Sequence, residues 1–278
     1  MQILLAIALL AAPCARAADF PFFALCMDTH DAKKRNLQEQ ARMLRELGYD
    51  GAGHLWLAGL SERLATLDAA GLRLFQVYFS LKIDPAAKQA YDPGLKQALP
   101  LLKGRDVMLA VLVTGGRPSD VTLDPRAVVL LREIAEMAQP NGVRVVLYPH
   151  VNNWLERVED SIRLTRKIER PNVGVMFNLC HWLKLDDEAH LRPLLQEAMP
   201  YLMAVSINGT DDGAAIKSGK GKWIQPLDSG SFQVSTVLRT LEDLGYRGPV
   251  GLQCYGIPGD ARDHLARSMA AWRKLRAH

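Results

Sequence analysis

Short apolar segments alternate with amphipathic segments eight times along this sequence of 278 residues. The apolar segments are rich in aliphatic and aromatic residues, which is typical of strands buried on both faces of a parallel sheet. The amphipathic segments carry apolar residues at helical spacing, as in Asn36–Leu47, which stops at Gly48. Glu46–Gly51 and Asp243–Gly248 repeat one helix-to-strand turn, which indicates a repeated unit. Eight units without a linker predict an α/β fold, a single (β/α)8 TIM barrel.

The clearest strand end lies in the segment Asn172–Leu185. Its first half is a continuous apolar run with β-branched residues, preceded by the turn signal of Pro171. Asn178 and His181 follow where such a strand would stop. Because the carboxyl ends of barrel strands carry the chemistry in this fold, the other strand ends are the places to look for partners.

The apolar segment Leu72–Leu81 alternates in side-chain type, so its two faces can be predicted separately. The alternation places Gln76 and Tyr78 on one face. It places Phe75, Val77 and Phe79 on the opposite face.

Residues 1–17 are typical of a secretory signal peptide. The run Ile3–Ala12 is apolar but too short to span a bilayer, and residues 15–17 (Ala-Arg-Ala) form a small-x-small cleavage site. The two residues before the run carry no Lys or Arg, and a buried N-terminal helix is the alternative. We therefore predict a signal peptide over 1–17, a barrel domain over 18–278, a periplasmic or secreted location and no membrane span.

Charge and cysteine content exclude several classes of protein. The net charge is +4, with 34 basic and 30 acidic residues mixed along the chain, and no basic block marks a nucleic-acid face. Cys26, Cys180 and Cys254 are widely spaced in apolar runs, which gives neither a disulfide framework nor zinc spacing. We expect buried free thiols, with one disulfide left open by an oxidising compartment.

Four of the seven histidines fall at predicted strand ends, and these are His30, His54, His150 and His181. The remaining histidines, His190, His264 and His278, are expected on the surface. Further polar side chains expected near the same rim are Tyr78, Tyr148, Asn178, Asn208 and Gln253. All of these would converge on one rim of a barrel, where histidine can exchange protons and amides can hold hydroxyl groups. The pattern predicts a pocket for a polyhydroxylated, uncharged ligand.

A metal site is not defined by the residues alone. His150 and His181 could bind a metal and Asp28 lies near a strand end, but no compact cluster has ligand spacing. The polar stretch between Asp211 and Gly230 is longer than an ordinary connection, so it is either a functional lid or disordered. Its lysines are more typical of a solvated surface than of a phosphate site.

The order of the strand endings resembles a known family. The matching segments are Val145–His150 (VVLYPH), Asn172–His181 (NVGVMFNLCH), Ala204–Gly209 (AVSING), Pro226–Gly230 (PLDSG) and Gly245–Gln253 (GYRGPVGLQ). From about residue 22 onward the chain resembles the sugar phosphate isomerase/epimerase superfamily, the xylose isomerase-like TIM barrels. The resemblance implies the barrel fold and a divalent metal, often manganese, zinc or magnesium, held by Glu, Asp, His and Glu at strands five to eight.

The matching ligand positions in this chain are Tyr148, Asn178, Ser206 and Gln253, so all four usual ligands are replaced. The His that accompanies the strand-six acid remains as His181. Two of the changes exchange an acid for its amide, which removes the negative charge that attracts a divalent cation. The cofactor is therefore left unknown.

The resemblance implies an exported enzyme of carbohydrate metabolism, a sugar isomerase, epimerase or lyase acting on an unphosphorylated sugar or keto-sugar. His150 or His181 would act as acid/base, and a second His or Lys184 would hold the developing oxyanion. His30, His54, Tyr78, Tyr148, Asn178, Asn208 and Gln253 would bind the substrate. A non-catalytic sugar-binding protein is the alternative.

The AP endonucleases share this barrel, but this chain lacks the acids of their zinc sites, and no nucleic-acid partner is expected. A homodimer is expected by analogy with related barrels.

Overall fold

The computed structural model describes residues 20–277. Eight parallel strands form a closed barrel in which each strand pairs with its sequence neighbours and β8 pairs with β1. The strands are β1 (Phe22–Leu25), β2 (Gly51–His54), β3 (Arg73–Lys82), β4 (Met108–Thr114), β5 (Arg144–Leu147), β6 (Val173–Asn178), β7 (Leu202–Ile207) and β8 (Val250–Gln253). The predicted (β/α)8 TIM barrel is therefore confirmed.

Helices cover the outside of the barrel. They are α1 (Leu37–Leu47), α2 (Leu60–Ala69), α3 (Leu95–Ala98), α4 (Asp124–Ala138), α5 (Val158–Ile168), α6 (Leu179–Leu185), α7 (Leu191–Ala198), α8 (Gly213–Lys217), α9 (Val234–Asp243) and α10 (Ala261–Arg276). Two of them lie at strand ends on the rim. The helix α6 starts directly after β6, and α8 lies in the long segment after β7.

The helix α1 shows how local sequence sets these boundaries. The Asn36 side chain accepts a hydrogen bond from the backbone of Glu39, and the Glu39 carboxylate accepts one from the backbone of Asn36. This reciprocal cap satisfies backbone donors that the first helical turn leaves free. Gly48 ends the helix at φ 89°, a left-handed conformation that glycine adopts without a Cβ clash. The predicted C-terminal cap is confirmed.

The core has two layers, one inside the barrel and one between the strands and the helices. The inner layer includes Phe23, Phe75, Tyr78 and Met176, so Phe75 shares the inner face with Tyr78. The prediction that Phe75 lies opposite Tyr78 is wrong. The pairing of β2 with β3 shifts register between Ala52 and Gly53, and this irregularity breaks the simple alternation.

Two expectations about the periphery have different outcomes. His264 is buried on the inner face of α10, so its expected surface position is wrong, whereas His190 is exposed. No helix within residues 20–277 is long and apolar enough to cross a membrane. The predicted signal peptide over 1–17 and His278 lie outside the described residues.

Candidate functional site

Two histidines meet where strands β5 and β6 end. His150 follows β5 by three residues, and His181 lies in the first turn of α6, directly after β6. Because β5 and β6 are neighbours in the barrel, the two imidazole rings come together with their centroids 3.9 Å apart. His150 is partly buried and His181 is 4% exposed. The structure thus forms a histidine pair from residues 31 positions apart in the chain.

The backbone of one residue, Val151, contacts both rings. His150 Nδ1 lies 2.8 Å from the carbonyl oxygen of Val151, and the backbone N–H of Val151 donates to His181 Nδ1 over 3.4 Å. A carbonyl oxygen only accepts, so His150 carries its proton on Nδ1 and keeps the lone pair on Nε2. His181 accepts at Nδ1, so its neutral form carries the proton on Nε2. The pair therefore offers one basic nitrogen and one N–H donor.

Burial keeps both histidines neutral near pH 7. Loss of water lowers the pKa of His150, and the positive charge of Lys184 lowers it further. The pKa of His181 lies well below its ordinary value, chiefly because the ring is desolvated and also because His150 and Lys184 are close. A neutral imidazole is the form that can accept a proton, so the histidine pair is poised as a base.

The long segment after β7 closes over this pair. The Trp223 ring meets His181 edge to face with centroids 5.0 Å apart, and its indole N–H donates to the backbone oxygen of Cys180. Lys184 Nζ lies 3.4 Å from the centre of the same indole ring, a cation–π contact. Asn208 holds the segment in place by donating from Nδ2 to the backbone oxygen of Trp223 at 3.0 Å. The sequence left open whether the stretch between residues 211 and 230 is a functional lid or disordered. In the structure it is ordered and covers the histidine pair.

Removing the Trp223 ring should change the titration of His181. In Trp223→Ala, water reaches the imidazole, so we expect the pKa of His181 to rise toward its ordinary value. The measurement is an NMR titration of the His181 ring protons. Lys220→Ala is the matched control, because Lys220 is an exposed residue of the same segment. An unchanged His181 titration in Trp223→Ala would show that the indole does not shield the ring.

Neutral polar groups fill the centre of the barrel mouth next to the histidines. Gln253 Nε2 donates to the Tyr148 hydroxyl at 3.1 Å, and the Tyr78 hydroxyl approaches that of Tyr148 at 3.5 Å. Ser206 Oγ donates to Asn178 Oδ1 at 2.8 Å, while Asn178 Nδ2 is buried without a partner among residues 20–277. The five side chains come from β3, β5, β6, β7 and β8, so only the closed barrel brings them together.

The phenol and thiol groups of this cluster stay protonated at neutral pH. Burial raises the pKa of Tyr148 and of Tyr78 far above the usual range of a phenol. Burial also raises the pKa of the Cys26 thiol, which packs against the same cluster, to about 12. The centre of the site is therefore uncharged at neutral pH, and its hydroxyl and amide groups donate hydrogen bonds.

These residues do not fit a divalent metal ion. Tyr148, Asn178, Ser206 and Gln253 occupy the four positions that the resemblance assigns to metal ligands, and none of them carries a negative charge. They are instead paired with one another, Tyr148 with Gln253 and Asn178 with Ser206. Within residues 20–277 no three His, Cys, Asp or Glu side chains converge in a manner that could hold a metal. Divalent cations bind chiefly where anionic side chains supply negative charge, so these four positions do not form a divalent metal site.

Several residues predicted to bind substrate have other contacts in the structure. His54 Nε2 bonds to the backbone oxygen of Ala58 at 2.8 Å, and His54 Nδ1 lies 3.4 Å from Arg63 Nε. Both ring nitrogens of His54 are thus engaged with the segment that leads into α2. His30 is exposed and packs edge to face on Tyr255 at 5.3 Å. Their role in substrate binding stays a prediction.

Sequence reasoning missed two residues that complete the site. Cys26 has φ 54°, and this left-handed turn directs its thiol into the barrel beside Tyr78. Trp223 was hidden in a polar segment, where it is the only aromatic residue between positions 211 and 230. An isolated tryptophan in a Gly- and Lys-rich loop is the signal that could have revealed Trp223. No local sequence pattern predicts the position of Cys26.

The fold and site define a single-domain (β/α)8 barrel with a cluster of neutral polar side chains at the carboxyl ends of its strands. The sequence matches the family described as xylose isomerase-like TIM barrel over residues 14–275. The chain belongs to this family, and the predicted resemblance is confirmed. Among curated proteins, the sequence has no match.

Solved structures confirm the fold at low sequence identity. D-Psicose 3-epimerase from Clostridium cellulolyticum H10 with D-tagatose aligns with a TM-score of 0.69, 16% identity, and coverage of 93% of this chain and 99% of the other. The 3-keto-D-glucoside 4-epimerase from E. coli aligns with a TM-score of 0.70 and 16% identity. The alignment covers 94% of this chain and 100% of the other. The probable 3-DHS dehydratase from Bacillus anthracis aligns with a TM-score of 0.72 and 15% identity. The alignment covers 91% of this chain and 99% of the other. At these identities the likeness concerns the fold alone.

Proposed function

We propose that the protein is a carbohydrate-active enzyme of the sugar isomerase/epimerase type that moves a proton on an unphosphorylated sugar or keto-sugar without a metal at the four substituted positions. The observation that carries the proposal is the neutral histidine pair with opposite tautomers, beside a cluster of uncharged donors. Such an arrangement supplies a base and an oxyanion-stabilising environment in one place.

The proposed chemistry is proton transfer at a carbon next to a carbonyl group. His150 Nε2 takes the proton from that carbon, and the electron pair of the broken C–H bond forms a carbon–carbon double bond as the carbonyl oxygen becomes an enolate. His181 Nε2–H and the buried, unpartnered Asn178 Nδ2 can donate to that oxygen. Delivery of a solvent proton to the opposite face of the same carbon gives an epimer, and His150 then releases its proton to solvent. Return of the proton from His150 to the former carbonyl carbon gives an isomer, as the proton of the adjacent hydroxyl passes to the enolate oxygen. In elimination, the enolate re-forms the carbonyl, and the hydroxyl of the next carbon leaves as water after it takes the proton from His150.

The nature of the pocket favours an uncharged substrate. Lys184 is the lysine nearest the histidine pair, and its ammonium group already stacks on Trp223. A phosphate group would require several convergent cations or free backbone donors. The names of the similar structures are consistent with a carbohydrate, since two of them are sugar epimerases and the third is a probable dehydratase.

The second candidate is a sugar-binding protein without turnover. Its support is the burial of His181 beneath Trp223, which leaves little of the imidazole exposed. The proposed location is the periplasm or the outside of the cell, and this part rests on residues 1–17 alone. Association as a homodimer stays a prediction.

A proton-exchange experiment tests the proposed function without knowledge of the product. The protein is incubated in D2O with D-fructose, D-psicose, D-tagatose or 3-keto-D-glucose, and each sugar is followed by NMR. We expect deuterium at a carbon next to the carbonyl of at least one sugar, because the proton that His150 removes exchanges with solvent. Sugar binding without exchange would favour the binding protein. Neither binding nor exchange with any of the sugars would contradict the carbohydrate assignment.

A further inference from the structure

Trp56 occupies an unusual position on the rim of the barrel. It lies two residues after the end of β2, its backbone is left-handed at φ 66°, and its side chain is 49% exposed. A left-handed conformation is unfavourable for a bulky residue, and exposure of a large aromatic surface to water adds a second cost. A strained backbone combined with an exposed aromatic side chain is typical of a functional site.

The Trp56 side chain forms one wall of a cleft of about 370 Å3. The cleft is also lined by the polar residues Ser80, Lys82, Gln89 and Asp92. A volume of this size is within the range of about 300–1,000 Å3 found for small-molecule sites. The charged residues that line the cleft are Lys82 and Asp92, so its net charge is zero. A neutral, polar cleft suits an uncharged, hydroxyl-rich ligand.

The strand β3 connects this cleft to the central cluster. Its pairing with β2 ends at His54 and Val77, but β3 continues to Lys82. Side chains alternate along a strand, so Ser80 follows Tyr78 on the same face, about 7 Å farther along. Since the Tyr78 hydroxyl approaches that of Tyr148 in the centre of the site, the cleft begins one step outward from the proposed reaction centre.

We propose that this cleft is a second sugar subsite, and that the substrate is a disaccharide or longer glycoside rather than a free monosaccharide. This inference rests on the proposed function and specifies its substrate class. One face of the outer sugar ring stacks on the Trp56 indole, while its hydroxyls bond to Ser80, Gln89 and Asp92. The reacting ring then lies against Tyr78 and the histidine pair. Aromatic rings with a few convergent polar groups are the usual means of orienting such a ligand.

The test compares disaccharides with their monosaccharides by isothermal titration calorimetry, with cellobiose, maltose and lactose against glucose and galactose as probes. In the wild type, at least one disaccharide should bind about tenfold more tightly than its monosaccharides. In Trp56→Gly this advantage should vanish while monosaccharide affinity is unchanged. Glycine adopts positive φ freely, so this variant should fold at least as stably as the wild type, which thermal unfolding checks.

Two further variants sharpen the test. Trp56→Phe keeps an aromatic face and should retain part of the disaccharide advantage. Val129→Ala, on the exposed face of α4, removes apolar surface that does not line the cleft and should change nothing. Monosaccharide binding or turnover without a disaccharide advantage, or an advantage that survives in Trp56→Gly, would overturn the subsite and leave the proposed function standing. Absence of binding to every disaccharide would overturn the subsite, and absence of binding and exchange with every sugar of the D2O experiment as well would overturn both.

Discussion

Replacing His150 with Ala should lower kcat by about 100- to 10,000-fold, while the affinity for sugar changes little. This range is the usual contribution of a positioned general base. The reason is structural, since the Val151 carbonyl holds the proton of His150 on Nδ1 and leaves Nε2 to accept a proton from the substrate. Steady-state kinetics together with calorimetric binding would separate the two quantities.

Glutamine replacements distinguish the two histidines. His181→Gln keeps an N–H donor and should retain more activity than His181→Ala, because His181 is proposed to donate a hydrogen bond. His150→Gln should be as inactive as His150→Ala, because an amide cannot take up a proton. If His150→Ala kept full turnover, His150 would not be the base. If sugar binding were lost together with turnover, the effect would lie in the pocket shape rather than in proton transfer.

The same assignment gives the direction of the pH dependence. Burial and Lys184 lower the pKa of His150, so the ring is neutral and active above that lowered pKa. Activity should fall as the pH drops through it, at a midpoint below the ordinary histidine value of about 6.5. A profile that rises toward acid pH would contradict a neutral base.

The second large effect concerns metal ions. In the wild type, millimolar manganese, zinc or magnesium should leave Tm unchanged, because the four substituted positions are neutral and bonded to one another. The combined variant Tyr148→Glu, Asn178→Asp, Ser206→His and Gln253→Glu restores the ligand types that the family resemblance implies. With an ion at 100 times its Kd, linkage predicts about 2.7 kcal/mol of stabilisation. That corresponds to roughly 5–10 °C in Tm for a chain of this size.

The single variant Asn178→Asp is the control for this experiment. It buries one carboxylate among neutral groups, which should destabilise the fold without creating a site of sufficient charge. Elemental analysis of each purified protein gives the bound ion directly. A stoichiometric divalent ion in the wild type, removed by chelation with a fall in Tm, would show that His150, His181 and their neighbours build a site that the four substitutions did not abolish.

Much of the candidate site was predictable because strand ends are visible in the sequence. Tyr78 lies within an apolar run, and the other five each follow or end one, namely Tyr148, His150, Asn178, His181 and Gln253. The structure brings all six to the centre of the barrel mouth. His54 shows the limit of that reasoning. It ends a strand as predicted, but Arg63 and the Ala58 carbonyl engage both of its ring nitrogens.

The sequence by itself determined the barrel, since hydrophobic periodicity is a local property and eight strand–helix units can bury their apolar faces by closing on themselves. Only the tertiary structure decided that Phe75 faces inward, that Val151 sets opposite tautomers in His150 and His181, and that Trp223 covers the pair. Apart from the contact of His150 with its neighbour Val151, each depends on a register shift or on contacts between residues far apart in the chain. No local pattern records such contacts, because they arise only when the barrel closes.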